Sequence, residues 1–192
     1  MKLEPGNSKL ALDFLDSFRE PWQKISAAAL IAWLVFYFFF LLYALLDHSG
    51  FLFIDNANLI VHEAGHLLFS YLGQTLMIWG GTIFELFVPF ALAVYFAWRR
   101  QPPATAFCAF FFFENFLYIA TYMADARAQE LPLVTVGDSD YVEHDWFYIF
   151  SHLGVLQHDL QIAAFVRALG WLGMLATVGW LIWRWKRSST AN

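Results

Sequence analysis

Apolar residues fall into five long blocks, at about residues 25–46, 56–79, 82–98, 104–123 and 160–183, parted by short polar or turn-forming stretches. At 1.5 Å rise per residue, an α-helix of about 20 residues crosses the ~30 Å hydrocarbon core of a bilayer. The pattern predicts an all-α, polytopic transmembrane bundle of about five spans. A sixth apolar stretch, residues 144–157, is too short to span and predicts a re-entrant or interfacial helix. Residues 1–25 mix Lys and Arg with Asp and Glu around Leu10, Phe14 and Phe18, as an interfacial amphipathic helix would, stopped by Pro21 with Trp22 at headgroup level. Gly80-Gly81 predicts a turn between the second and third spans, and residues 124–143 a polar loop. The first apolar block starts late and lacks a small-residue cleavage site, so a transmembrane helix is expected there and not a signal peptide. Residues 1–192 read as one membrane-embedded domain.

Composition strengthens the membrane reading. The chain is 60% hydrophobic, 20% aromatic and 14% charged, whereas soluble domains run nearer a quarter charged. A net charge of -5 with few basic residues excludes a phosphate-binding surface for nucleic acid. The lone Cys108 can form no intrachain disulfide and reads as core filler. Arg99, Arg100 and the group Arg184, Lys186 and Arg187 sit tightly at the ends of apolar blocks. By the positive-inside tendency the C-terminus is expected in the cytoplasm, in a bacterial inner membrane, and five spans would then put the amino end outside.

The polar residues inside these blocks are stacked, not scattered. Asp55, Asn58, His62, His66 and Ser70 follow one another at spacings of three and four, which puts them on one helical face. Glu114, Tyr118, Thr121, Tyr122 and Asp125 do the same on the fourth block, as do His144, Tyr148, Ser151, His152 and Asp159 around the short helix. Three such stripes suggest one interior polar cavity. Asn58, Ser70, Thr121 and Tyr122 are also what helix packing in a membrane would use. Asp125 and Arg127 read as an interfacial ion pair.

The stripe on the second block contains His62-Glu63-Ala64-Gly65-His66. Two imidazoles at i and i+4 on a helix can converge on one tetrahedral zinc ion, and the glutamate between them is placed as a general base. Ionisable groups in mid-span are costly unless used, which weighs against packing alone. Zn2+ is therefore the expected cofactor, with His62 and His66 as ligands and Glu63 catalytic. Zinc hydrolases use three protein ligands. The third is open among His144, Asp145 and Glu114: depth in the bilayer favours Glu114, whereas ligand chemistry favours His144, the preferred choice. Asn115 and Tyr118 are candidates for oxyanion or substrate contacts.

An HExxH helix within a compact multi-span protein resembles the site-2 protease group of intramembrane zinc metalloproteases. The resemblance implies His62 and His66 as zinc ligands, Glu63 as general base, and a distant carboxylate completing the site. The Leu-Asp-Gly and Asn-x-x-Pro-x-x-Pro motifs of that group do not occur in this chain.

The leading expectation is a membrane-embedded zinc metalloprotease acting on a membrane protein or peptide in or near the bilayer, with Gly80-Gly81 and the 124–143 loop as candidate gates. A zinc-dependent hydrolase of lipid amides or esters, and a non-enzymatic metal-binding membrane protein, are the alternatives.

Overall fold

The computed structural model describes residues 20–132 and 144–189. The expected interfacial helix lies almost wholly outside these residues, as does most of the polar loop. The described residues are helical and contain no strand. The long helices are α1 (Ala27–Leu46), α2 (Asp55–Phe69), α3 (Gln74–Trp98), α4 (Pro102–Ala124) and α6 (Asp159–Ser189), and a short α5 covers Asp145–His152.

Four of these helices, α1, α3, α4 and α6, are long and apolar enough to cross a membrane. Their outer faces carry exposed Ile31, Phe38, Phe39, Phe87 and Leu172, the residues a lipid environment accepts. The HEAGH helix α2 has only 15 residues, about 22 Å of helix, which is short of the hydrocarbon thickness. The break expected at Gly80-Gly81 falls earlier, at Gly73, whose φ of 92° suits glycine. Gly80 and Gly81 continue α3 without interruption. The reason is packing: Gly65 on α2 meets the Gly80 backbone so closely that any Cβ at Gly65 would overlap it. Small residues here let two helices touch backbone to backbone.

Helix α4 is the hub. Half of its most apolar window is buried, against 11% for α1, because α1, α3 and α6 all pack around it. Pro102 starts it in the first turn, where the missing N–H costs nothing. Tyr37 and Phe40 of α1 pack on Phe110 at 4.7 and 5.4 Å between ring centres. Gly170 and Gly173 of α6 lie against Phe113, Phe116 and Leu117. Phe113 leaves no room for a Cβ at Gly173.

The start of α1 and the end of α6 share one end of the bundle. Trp22 packs edge-on against Trp180, 5.4 Å between centres, and the Gln23 N–H donates to the Arg100 carbonyl at the end of α3. An expectation of opposite sides, which rested on counting α2 as a full span, is thereby corrected. At the other end, Arg127 pairs with Asp159 through Nε and Nη2, both at 2.7 Å, and not with Asp125. Asp125 instead accepts from the backbone N–H groups of Glu130 and Leu131, which closes the turn after α4.

Candidate metal centre

Helix α2 starts with Asp55, whose carboxylate accepts the Leu52 N–H at 2.6 Å and so satisfies one donor at the helix entry. Two turns on, His62 faces inward and is 3% exposed. One turn further, His66 lies above it, with ring centres 4.8 Å apart. The stacked i, i+4 geometry follows directly from the helix.

Each imidazole is held at Nδ1 by a different neighbour. Nδ1 of His62 is 3.0 Å from Oε2 of the buried Glu85 on α3. Nδ1 of His66 is 2.8 Å from the Met77 carbonyl oxygen. A carbonyl can only accept, so His66 donates through Nδ1, which leaves Nε2 to face Asp145. His62 has a carboxylate on each side, Glu85 at Nδ1 and Asp145 at Nε2, so a metal at Nε2 would leave the Nδ1 proton to Glu85. This is the outer support that metal-bound histidines use.

Both Nε2 atoms turn to the same place. Oδ2 of Asp145 lies 2.9 Å from Nε2 of His62 and 3.1 Å from Nε2 of His66. The three atoms all fall within 4.8 Å of one another. Two nitrogen lone pairs and a carboxylate oxygen repel unless a positive charge lies among them, and that charge can be a proton or a metal ion. Space for the larger ion is left by Gly81. A Cβ built there would lie 2.6 Å from Nε2 of His62 and 2.7 Å from Nε2 of His66. The donor set, two imidazoles and one carboxylate, fits zinc.

Asp145 reaches the histidines because α5 begins there. Its N–H donates to the Tyr122 hydroxyl at 3.2 Å, which ties the entry of α5 to α4. Burial disfavours the charge of Asp145, but hydrogen bonds to His62 and His66 outweigh it and hold the carboxyl below its ordinary pKa. His144, the ligand preferred on chemistry, points elsewhere. Its Nδ1 accepts from the Phe147 N–H at 3.3 Å, capping α5, and its Nε2 lies 3.3 Å from Asp125 Oδ2, misaligned for a hydrogen bond. The cap uses the lone pair that a metal would need. Burial also pushes the His144 pKa down, against the pull of the Asp125 carboxylate.

The other expected residues separate. Glu63 is half-buried, within electrostatic range of His66, His62 and Asp145. Among the described residues its carboxylate makes no hydrogen bond or ion pair. Glu114 is fully buried but accepts from Nδ2 of Asn58 at 3.2 Å; the same amide donates to Asp55 at 2.9 Å. It is thus below the histidines on α2, not beside them. Asn115 spends its Nδ2 on the Phe111 carbonyl of its own helix. Tyr118 lines a small cavity with Leu52, Asp55 and Thr121, and its ring packs against Phe51. Neither makes a hydrogen bond to the cluster among the described residues, and Tyr118 lies within electrostatic range of Glu85, Glu63 and Asp145. Ser70 caps back onto Leu67 at the exposed end of α2.

Three contributors carry no mark in the HEAGH pattern. Glu85 was open to detection as an ionisable group in mid-span. Tyr122, assigned to packing, touches the site through Asp145 and lies 6.0 Å from His62 between ring centres. The Met77 carbonyl has no residue signature at all. Comparison of the chain with models of protein families, with curated proteins and with solved structures finds no match in any of the three.

Proposed function

We propose that the protein is a membrane-embedded zinc metalloprotease that hydrolyses peptide bonds in or near the bilayer. The supporting observation is the convergence of His62 Nε2, His66 Nε2 and Asp145 Oδ2, with each Nδ1 already committed to a partner. Three protein ligands leave a fourth position for water or substrate, the arrangement of catalytic rather than structural zinc sites. Asp145 supplies the distant carboxylate that a likeness to site-2 proteases implies.

His62, His66 and Asp145 would hold the ion, which when bound polarises a carbonyl and lowers the pKa of water. Glu63 is the general base: its carboxylate accepts a proton from the attacking water and returns it to the leaving nitrogen. Its lack of any other partner among the described residues suits that role. Glu85 and the Met77 carbonyl hold the imidazoles in the ligating tautomer and orientation. Tyr122 positions Asp145 through the backbone N–H. The Gly80-Gly81 pair, packed tightly on α2, suits a fixed wall better than a gate. The basic end of the bundle is assigned to the cytoplasm of a bacterial inner membrane, with the C-terminus there.

The test is elemental analysis of the detergent-purified protein with a cleavage assay on labelled transmembrane peptides. Stoichiometric zinc, lost in His62→Ala, and cleavage abolished in Glu63→Gln, are expected. A metal-free protein, or cleavage indifferent to Glu63, rejects the reading. Turnover of labelled lipid amides with no peptide cleavage would reassign the substrate.

A further inference from the structure

The first turn of α2, two turns before His62, carries a second polar cluster. Asp55 is 1% exposed, and Glu114, facing it from α4, is fully buried. Asn58 divides its amide between them: Nδ2 donates to Oδ1 of Asp55 at 2.9 Å and to Oε2 of Glu114 at 3.2 Å. The Leu52 N–H donates to Oδ2 of Asp55. Oε1 of Glu114 is sealed from solvent without a hydrogen-bond donor. The two carboxyl groups are also within hydrogen-bonding reach of each other.

Ionised carboxylates only accept, so two of them in contact have no hydrogen for the bond between them. Two like charges buried side by side do not both stay ionised, and one positive charge must enter. The surrounding protein does not bring it. The charged groups that act on the pair are Asp47, just after α1, and Glu85 on α3, both acidic. Arg167 of α6 gives Nη2 to Thr121 at 3.0 Å and, among the described residues, forms no ion pair with Asp55 or Glu114. Two carboxyl groups are a sparse shell for a metal cation such as calcium, which takes about six oxygens or more, but a complete one for a proton. A supply route adjoins them. Asp55 and Tyr118 line a cavity with Asp47, Thr121 and Arg167, a polar lining suited to water.

We infer that Asp55 and Glu114 share one proton, taken up from the cavity, and that this proton clasps the HEAGH helix to α4. Without it the pair carries two negative charges, which push the start of α2 away from α4. The clasp is independent of whether the histidines hold a metal. Unfolded carboxylates have already lost this proton at neutral pH, so its stabilising effect is full at low pH and disappears as pH rises through its release.

Infrared spectra of the full chain in nanodiscs test the pair. At neutral pH the wild type should show the carbonyl band of a protonated, buried carboxyl, and the band should shift in D2O without unfolding. Asp55→Asn and Glu114→Gln should each remove it, because one acid facing an amide no longer needs the proton, whereas Glu63→Gln should keep it. As pH is raised, the wild type should lose the band, and its folded-to-unfolded ratio should fall by up to about tenfold per pH unit, the slope of one proton. Glu114→Gln imitates the protonated acid and should not share that loss. Should the variants fail to fold, the wild-type band and its shift in D2O decide. Absence of the band at neutral pH overturns the clasp, and so does a band that survives both substitutions. A band that shifts only on unfolding overturns loading from the cavity. Stabilisation by sodium ions with no band would put a metal cation between the carboxyls and reject the proton.

Discussion

Oε2 of Glu85 lies 3.0 Å from Nδ1 of His62, so a carboxylate on α3 orients an imidazole on α2. Pro89, one turn later on α3, has no N–H to give to the Glu85 carbonyl, although the helix runs on unbroken through both residues. Replacing Glu85 with Ala should leave all three ligands present but lower zinc affinity by roughly 10–100-fold. Gln, whose amide oxygen still accepts from Nδ1, should lose less. Competition with a chromogenic chelator measures both.

Asp145 and His144 are neighbours with separate duties. Asp145→Ala should abolish zinc binding. His144→Ala should keep the metal and lose about 1 kcal/mol of stability, the worth of a helix cap. Zinc content and thermal unfolding of the two variants separate ligand from cap.

Glu63→Gln should bind zinc as the wild type does and cleave at least ~100-fold more slowly. A loss of metal in this variant would place Glu63 among the ligands and remove it from the role of base.

Gly81 offers a test that removes no ligand. In Gly81→Ala the new Cβ crowds both Nε2 atoms, so zinc should be lost while the helix is retained. Gly179→Ala on α6 meets no atom within 4 Å and should be neutral or stabilising by up to ~1 kcal/mol. Circular dichroism and elemental analysis of the pair give the contrast.

Acidification should release the metal. Protons compete for the two Nε2 lone pairs, so occupancy is full at high pH and falls as pH drops, with a slope approaching two protons per ion. Asp145, held below the ordinary aspartate value of 3.8, stays ionised through the range in which imidazoles titrate, near ~6.5 when unperturbed. Asp145→Asn should therefore weaken binding across that range without moving its steepness. Zinc release followed against pH in both proteins checks the sign.

The helices, the inward stripe on α2 and the basic ends of α3 and α6 were legible from residue order because each depends on spacing within a few turns. The pairing of the three polar stripes was legible in outline: Asn58 does meet Glu114, and Asp145 and His144 do meet Tyr122 and Asp125. Residue order could not separate Asp145 from His144. Adjacent residues at a helix start point about 100° apart, and which one faces His62, 83 positions earlier, depends on how α5 docks. The Gly80-Gly81 pair misled for a related reason: glycine signals a turn locally, whereas here its missing side chain lets α3 lie against Gly65. Backbone acceptors such as the Met77 carbonyl belong to every residue alike, so only packing could select one. Local periodicity thus determined the two stacked imidazoles and the glutamate between them. The Asp145 carboxylate that joins them, the Glu85 carboxylate that orients His62 and the room left by Gly81 came from contacts distant in the chain, where burial of apolar surface, not residue spacing, sets which groups meet.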